Sequence, residues 1–146
     1  MVKQESTPHI LLGFDFGMKR IGVAVGQTVT KTARPLTTLA AKKGQPDWVA
    51  LKKIIDTWRP EGLVVGIPLN MDGSSQPLTE LAHHFSTQLT AHFGLAIYEI
   101  DERLTTKDAR ERLFQAGGYQ ALQGGQVDAV AAQLILQNWL DRVPAA

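Results

Sequence analysis

An α/β layer fold is the class the sequence predicts, and three observations predict it. Residues 11–26 read as two strands joined by a tight turn. Residues 62–69, GLVVGIPL, are apolar without alternation, as in a parallel strand covered on both faces. Helical apolar stripes separate the later strands, giving the order βββ-α-β-α-β-α-α.

Within the first hairpin, Ile10, Leu12 and Phe14 alternate with Leu11, Gly13 and Asp15, the period of a strand. Ile21, Val23 and Val25 then alternate with Gly22, Ala24 and Gly26. The second set is small throughout, so another element must press closely on that face. Residues 32–39 form a third strand, with Pro35 suggesting a sheet edge. Lys42, Lys43, Gly44 and Gln45 read as a loop, and Pro46 suits the first turn of a helix. Trp48, Leu51, Ile54, Ile55 and Trp58 make its apolar stripe, and Arg59-Pro60 stops it.

After strand 62–69, residues 70–75 turn into a helix that has Pro77 in its first turn. Leu78, Leu81, Ala82, Phe85, Leu89 and Phe93 line its buried side, and Gly94 ends it. His83 and His84 fall off that stripe and read as solvated. A strand over 95–100 leads into Asp101-Glu102-Arg103. Thr105 with Asp108 resembles a capping box opening a helix to about residue 116, followed by a glycine-rich loop over 117–125. The last helix starts between Gln126 and Asp128, with Val127, Val130, Ala131, Leu134, Ile135 and Leu140 as its stripe.

The chain of 146 residues fits one domain, expected over 9–142 after a flexible polar segment at 1–8. It has no cysteine, which excludes disulfides and thiolate zinc sites. No apolar run approaches the ~20 residues needed to span a bilayer, and the first residues lack a signal-peptide core. A cytoplasmic protein without a membrane partner is expected. The net charge of +1 is uneven. Residues 1–60 carry ten Lys+Arg against four Asp+Glu, whereas 61–146 carry five against ten. One half can meet a polyanion while the other supplies acids for cations.

Asp15 ends an apolar strand, where a carboxylate is costly to desolvate unless it finds donors, water or a cation. Two further acids are candidates to join it. One is Glu102, or its neighbour Asp101, at the end of the last strand; the other is Asp128, in the first turn of the last helix. Strand carboxyl ends form the ligand crevice of an open α/β sheet. With one strand between them, Asp15 and Glu102 would have Cα atoms about 10 Å apart, a gap that a divalent cation pair would fill. An all-oxygen set points to Mg²⁺ or Mn²⁺ rather than zinc. Each acid also has a plainer reading: a turn Asp at 15, a surface partner of Arg103 at 102, a helix cap at 128. Lys19 and Arg20, beside Asp15, can neutralise a phosphate there or be an ordinary basic turn.

The segments DFGMKRIGVAVG, GIPLNMDGS, DERLTT, GGYQAL and VDAVAAQLILQNWL stand in the order and spacing of the YqgF family, also called RuvX, which the chain resembles over about residues 11–140. This family of the ribonuclease H-like superfamily is related to the RuvC Holliday-junction resolvase. The resemblance implies a five-stranded mixed sheet, order 3-2-1-4-5, with helices on both faces. It also implies a nuclease for the 5′ end of precursor 16S ribosomal RNA, with a junction resolvase as the alternative. Its acidic positions match Asp15, Glu102 and Asp128, as catalytic residues and ligands of two Mg²⁺ or Mn²⁺ ions. The expected partner is structured RNA or branched DNA, met by Lys19, Arg20 and Arg103, and by Lys42 and Lys43, with the protein a monomer or weak homodimer. RuvC carries an acid on its fourth strand; here 66–70 reads GIPLN, so the second carboxylate must come from DERLTT. Gln120, Gln123 and Gln126 stand in the glycine-rich loop where many relatives are basic. A nucleotide-binding module, suggested by the D-x-G hairpin, and a non-catalytic RNA or protein partner on a nuclease fold are the rival functions.

Overall fold

The computed structural model describes residues 9–104 and 126–143. Strands β1 (Ile10–Asp15), β2 (Arg20–Gln27) and β3 (Thr32–Lys42) form an antiparallel meander. A two-residue β4 (Gln45–Pro46) pairs with the end of β3. Helix α1 (Trp48–Trp58), β5 (Gly62–Ile67), α2 (Pro77–Phe93) and β6 (Ala96–Asp101) follow. A 3₁₀ turn (Glu102–Leu104) closes the first described stretch, and α3 (Gln126–Arg142) makes up most of the second. The sheet order is β4-β3-β2-β1-β5-β6, with β5 parallel to both β1 and β6.

This is the expected 3-2-1-4-5 arrangement with one short edge strand added. Alternation divides the sheet into two faces. On one, Leu12, Phe14, Ile21, Val23, Leu63 and Val65 pack with Leu51 of α1 and Phe85 and Leu89 of α2. Each such fully buried apolar side chain is worth roughly 1.5–3 kcal/mol. On the other, Leu11, Ala24, Val64 and Ile100 pack with Ala132, Ile135, Leu136 and Leu140 of α3. The small side chains of β2 face α3, which is the element that presses on them. A Cβ on Gly26 would lie 3.0 Å from Leu136 Cδ2, and one on Gly13 2.7 Å from Leu136 Cβ.

Several local expectations shift. Pro46 lies in β4, ahead of α1, and the helix is capped by Asp47, whose Oδ1 accepts from the Val49 and Ala50 amides at 3.1 Å each. Lys42 and Gln45 are strand residues because the chain folds straight back on itself after β3. The buried side of α3 is rotated from the predicted stripe: Ala132 and Leu136 are core, while Val127 is 43% exposed. Two glutamines set this rotation. Ala33 donates its amide to Gln137 Oε1 at 3.1 Å, and Gln133 and Gln137 donate to the carbonyls of Ala33 and Lys31. His83 is not simply solvated; its Nδ1 lies 2.8 Å from Glu99 Oε2 on β6. Trp48 and Trp58 pack against the core, as their stripe suggests. The expected segment at 1–8, capping box at Thr105, helix to about 116 and glycine-rich loop over 117–125 lie outside the described residues. Among the described residues no helix is long and apolar enough to cross a membrane.

Candidate active site

Asp15 is the last residue of β1, and its partner on β2 is Gly22. On the other side Phe14 pairs with Val65, so Gly66 of β5 is next in register to Asp15. The acid therefore stands between two glycines on the face that carries α3. Each glycine makes room for another candidate. A Cβ on Gly22 would lie 1.8 Å from the carbonyl oxygen of Asp128. A Cβ on Gly66 would lie 2.8 Å from Glu102 Oε1 and 2.5 Å from Ile135 Cδ1. The absent side chains let the first turn of α3 descend onto β2 and let the Glu102 side chain lie over β5.

Strand order supplies the rest of the arrangement. β1 and β6 flank β5 in parallel, so Asp15 and Glu102 emerge from the same end of the sheet with one strand between them. That spacing corresponds to about 10 Å.

Asp101 and Glu102 differ in what each side chain touches. Asp101 accepts from the Arg103 amide at 2.8 Å, from Arg103 Nε at 3.1 and 3.0 Å, and from Arg103 Nη2 at 2.6 Å. These bonds hold its carboxyl below the usual carboxylate range, with the Arg103 side chain as the main cause. Glu102 instead lies against Gly66, on the α3 face. It is the acid that shares a side with Asp15 and Asp128.

Asp128, the third residue of α3, accepts from Arg20 Nε at 3.0 Å. Arg20 is 62% exposed there and Asp128 25%. Arg20 thus neutralises an acid at the site. Lys19 is exposed in the β1–β2 turn, where its carbonyl accepts from the Ala41 amide at 2.9 Å. The same turn is tied to the β3–β4 turn by the Gly44 amide, 2.9 Å from the Met18 carbonyl. Lys42 and Lys43 are exposed on that second turn, which abuts the first. Arg103 directs its guanidinium at protein acceptors, donating from Nη1 to the Met71 carbonyl at 3.0 Å as well as to Asp101.

A metal ion is tested against this donor set. The acids are all oxygen donors, which suits Mg²⁺ or Mn²⁺, and the two glycines let the Asp128 backbone and the Glu102 side chain lie on the sheet to either side of Asp15. As the side chains stand, however, no group of three His, Asp or Glu among the described residues is gathered closely enough to hold an ion. The Arg20 pair is one visible reason, since it draws the Asp128 carboxylate to itself.

Sequence reasoning took Gly22 as a mark of close approach without placing it at the site, and passed over Gly66. Their signal was present: glycine inside a strand marks close approach by something else.

Comparisons with known proteins place this geometry in context. The model of a family described as RuvX, Holliday junction resolvase, matches residues 9–142. A protein of Sodalis glossinidius named "Putative pre-16S rRNA nuclease" is 52% identical over 134 residues, covering 92% of this chain and 95% of its own. One of the same name from Shewanella oneidensis is 53% identical over 131 residues, covering 90% and 93%. Among solved structures, Thermus thermophilus RuvC in complex with a Holliday junction substrate aligns with a TM-score of 0.58 at 15% identity, over 90% of this chain and 93% of that one. The fowlpox virus Holliday junction resolvase gives 0.56 at 9%, over 92% and 99%. At such identities these two structures speak for the fold.

Proposed function

Because the chain belongs to the RuvX family, we propose that it is a metal-dependent nuclease that hydrolyses phosphodiester bonds in the 5′-end maturation of precursor 16S ribosomal RNA, in the cytoplasm. One observation carries the reading: Asp15 stands between two strand glycines whose missing side chains make room for the Asp128 backbone on one side and the Glu102 side chain on the other. A fold has little structural use for three acids brought to one end of a sheet, since they repel one another. A cation would draw the three carboxylates together and make that placement favourable.

Asp15, Glu102 and Asp128 are the residues that would hold the metal. Bound there, a pair of Mg²⁺ or Mn²⁺ ions would supply an acidified water and charge neutralisation at the phosphoryl group. Asp15 has the central position among the three. Glu102 and Asp128 approach from opposite sides, one over β5 and one over β2. The first turn of α3 adds positive partial charge where an anionic phosphate would sit. Lys19 and Arg20, at the start of β2, and Lys42 and Lys43, on the abutting turn, would meet the phosphates flanking the scissile bond and fix the strand's register.

Structured RNA is the substrate favoured by the names of the half-identical relatives. Branched DNA is the second reading, favoured by the family's description. The test is cleavage of a 5′-extended 16S precursor and of a four-way DNA junction side by side, each with wild type and Asp15→Asn. The proposal expects metal-dependent cut RNA with wild type alone. Cleavage of the junction only would move the substrate to DNA. Equal cleavage by both proteins, or none by either, would remove the nuclease reading.

A further inference from the structure

We propose that Arg103 is a positioning residue for Glu102 rather than a phosphate contact. The inference rests on the nuclease reading above only for what Glu102 does. The observations are three. First, Asp101 and Arg103 close a turn around Glu102: the Asp101 carboxylate accepts from both the backbone amide and the guanidinium of Arg103. Glu102 is the residue between the two, and its side chain lies on the other side, against Gly66.

Second, the same guanidinium reaches a different segment. Arg103 Nη1 donates to the Met71 carbonyl at 3.0 Å, in the loop that follows β5. That loop is built to receive it. The Asn70 amide donates to the Ser74 carbonyl at 2.9 Å, and the Gly73 amide to the Asn70 carbonyl at 2.8 Å. Asp72 accepts from the Ser74 amide and hydroxyl at 2.9 and 2.6 Å. Gly73 has a φ of 91°, and a Cβ there would lie 3.4 Å from Arg103 Nη1. Glycine therefore suits the conformation, and Arg103 packs at contact distance over it.

Third, the pair is partly withdrawn from water, with side-chain exposures of 31% for Arg103 and 22% for Asp101. The planar, bidentate fork can grip a carboxylate and a carbonyl at once, which an ammonium cannot do in the same geometry. Arg103 thus ties the end of β6 to the loop after β5. Glu102 is held by a clamp whose three parts come from the two most distinctive segments of the chain, residues 70–75 and 101–103.

A phosphate contact and a positioning clamp predict different phenotypes. The variants are Arg103→Ala, Arg103→Lys and Asp101→Asn, with Glu102→Gln as reference. RNA affinity against salt is measured in an Asp15→Asn background, and the Mn²⁺ concentration giving half the maximal rise in Tm is measured in wild-type background. Positioning predicts that Arg103→Ala and Asp101→Asn each raise that Mn²⁺ midpoint about tenfold or more, as removal of an outer-shell partner does, and approach the Glu102→Gln value. The salt slope of RNA binding stays at wild type, kcat falls with KM within about twofold, and lysine does not rescue. A double variant, Asp101→Asn with Arg103→Ala, is no worse than the poorer single one. A phosphate role predicts the reverse: a shallower salt slope by about 0.7 per lost contact, a raised KM, partial rescue by lysine and a normal Asp101→Asn protein. Any of those four outcomes overturns the proposal, as does an unchanged Mn²⁺ midpoint in both Arg103→Ala and Asp101→Asn. Absence of RNA cleavage by wild type, with the midpoint shifts intact, would count against the nuclease reading alone.

Discussion

Gly22 and Asp128 approach so closely that a single added methyl on Gly22 would lie 1.8 Å from the Asp128 carbonyl oxygen. The contact is backbone against backbone, so no rotamer change can relieve it. It sets how deeply the first turn of α3 sits on the sheet, and so how near Asp128 comes to Asp15, the β1 partner of Gly22.

Gly22→Ala should lift α3 and destabilise the fold by about 3 kcal/mol, as read from urea denaturation midpoints. Gly66→Ala should separate stability from function. There the Cβ meets two side-chain ends, Ile135 Cδ1 and Glu102 Oε1, which can yield. A loss of about 1–2 kcal/mol is expected, with cleavage reduced by at least tenfold because Glu102 is displaced. Equal loss of stability in the two variants would contradict the difference drawn between them.

Arg20→Ala tests the pair that holds Asp128. The pair is mostly exposed on the arginine side, so its net contribution to stability is expected within about 1 kcal/mol. Its removal takes away a competing cation from Asp128. Mn²⁺ should then raise Tm at lower concentration than in wild type, while RNA binding weakens and its salt slope becomes shallower by about 0.7. Weaker Mn²⁺ binding in this variant would show that Arg20 supports the acid's geometry rather than competing for it.

The acid limb of the stability curve carries a signature of the loop clamp. The Asp101 carboxyl is held below the usual range chiefly by the Arg103 side chain, and the Asp72 carboxyl chiefly by the Ser74 hydroxyl and amide. A lowered carboxyl pKa contributes stability that is fully present above the ordinary aspartate pKa and lost as pH falls through the lowered one. Carboxyl ¹³C titration should place both groups below the ordinary value. In Arg103→Ala, Asp101 should return toward that value while Asp72 moves little, since Arg103 is the smallest of its causes. An Asp101 unmoved by the substitution would contradict the hydrogen-bonded pair.

Much of the fold was legible because its signals are local or periodic. The alternation of 10–15 and 21–26 and the unbroken apolar run after Gly62 each fix a strand and the faces it buries. Asp15 was legible as an acid that an apolar strand does not need. The different settings of Asp101 and Glu102 were not, because they depend on a 3₁₀ turn and on a guanidinium reaching Met71, 32 residues away. The rotation of α3 also escaped, since it goes with bonds from Gln133 and Gln137 to the carbonyls of Ala33 and Lys31, 100 and 106 residues earlier in the chain. The two-residue β4 carries no periodicity at all.

Calorimetric titration of wild type and Asp15→Asn with Mn²⁺, both folded by circular dichroism, tests the shared ion site most directly. Saturable binding by wild type, lost or weakened at least tenfold in Asp15→Asn, is the predicted result. Binding of equal strength in both proteins would contradict it.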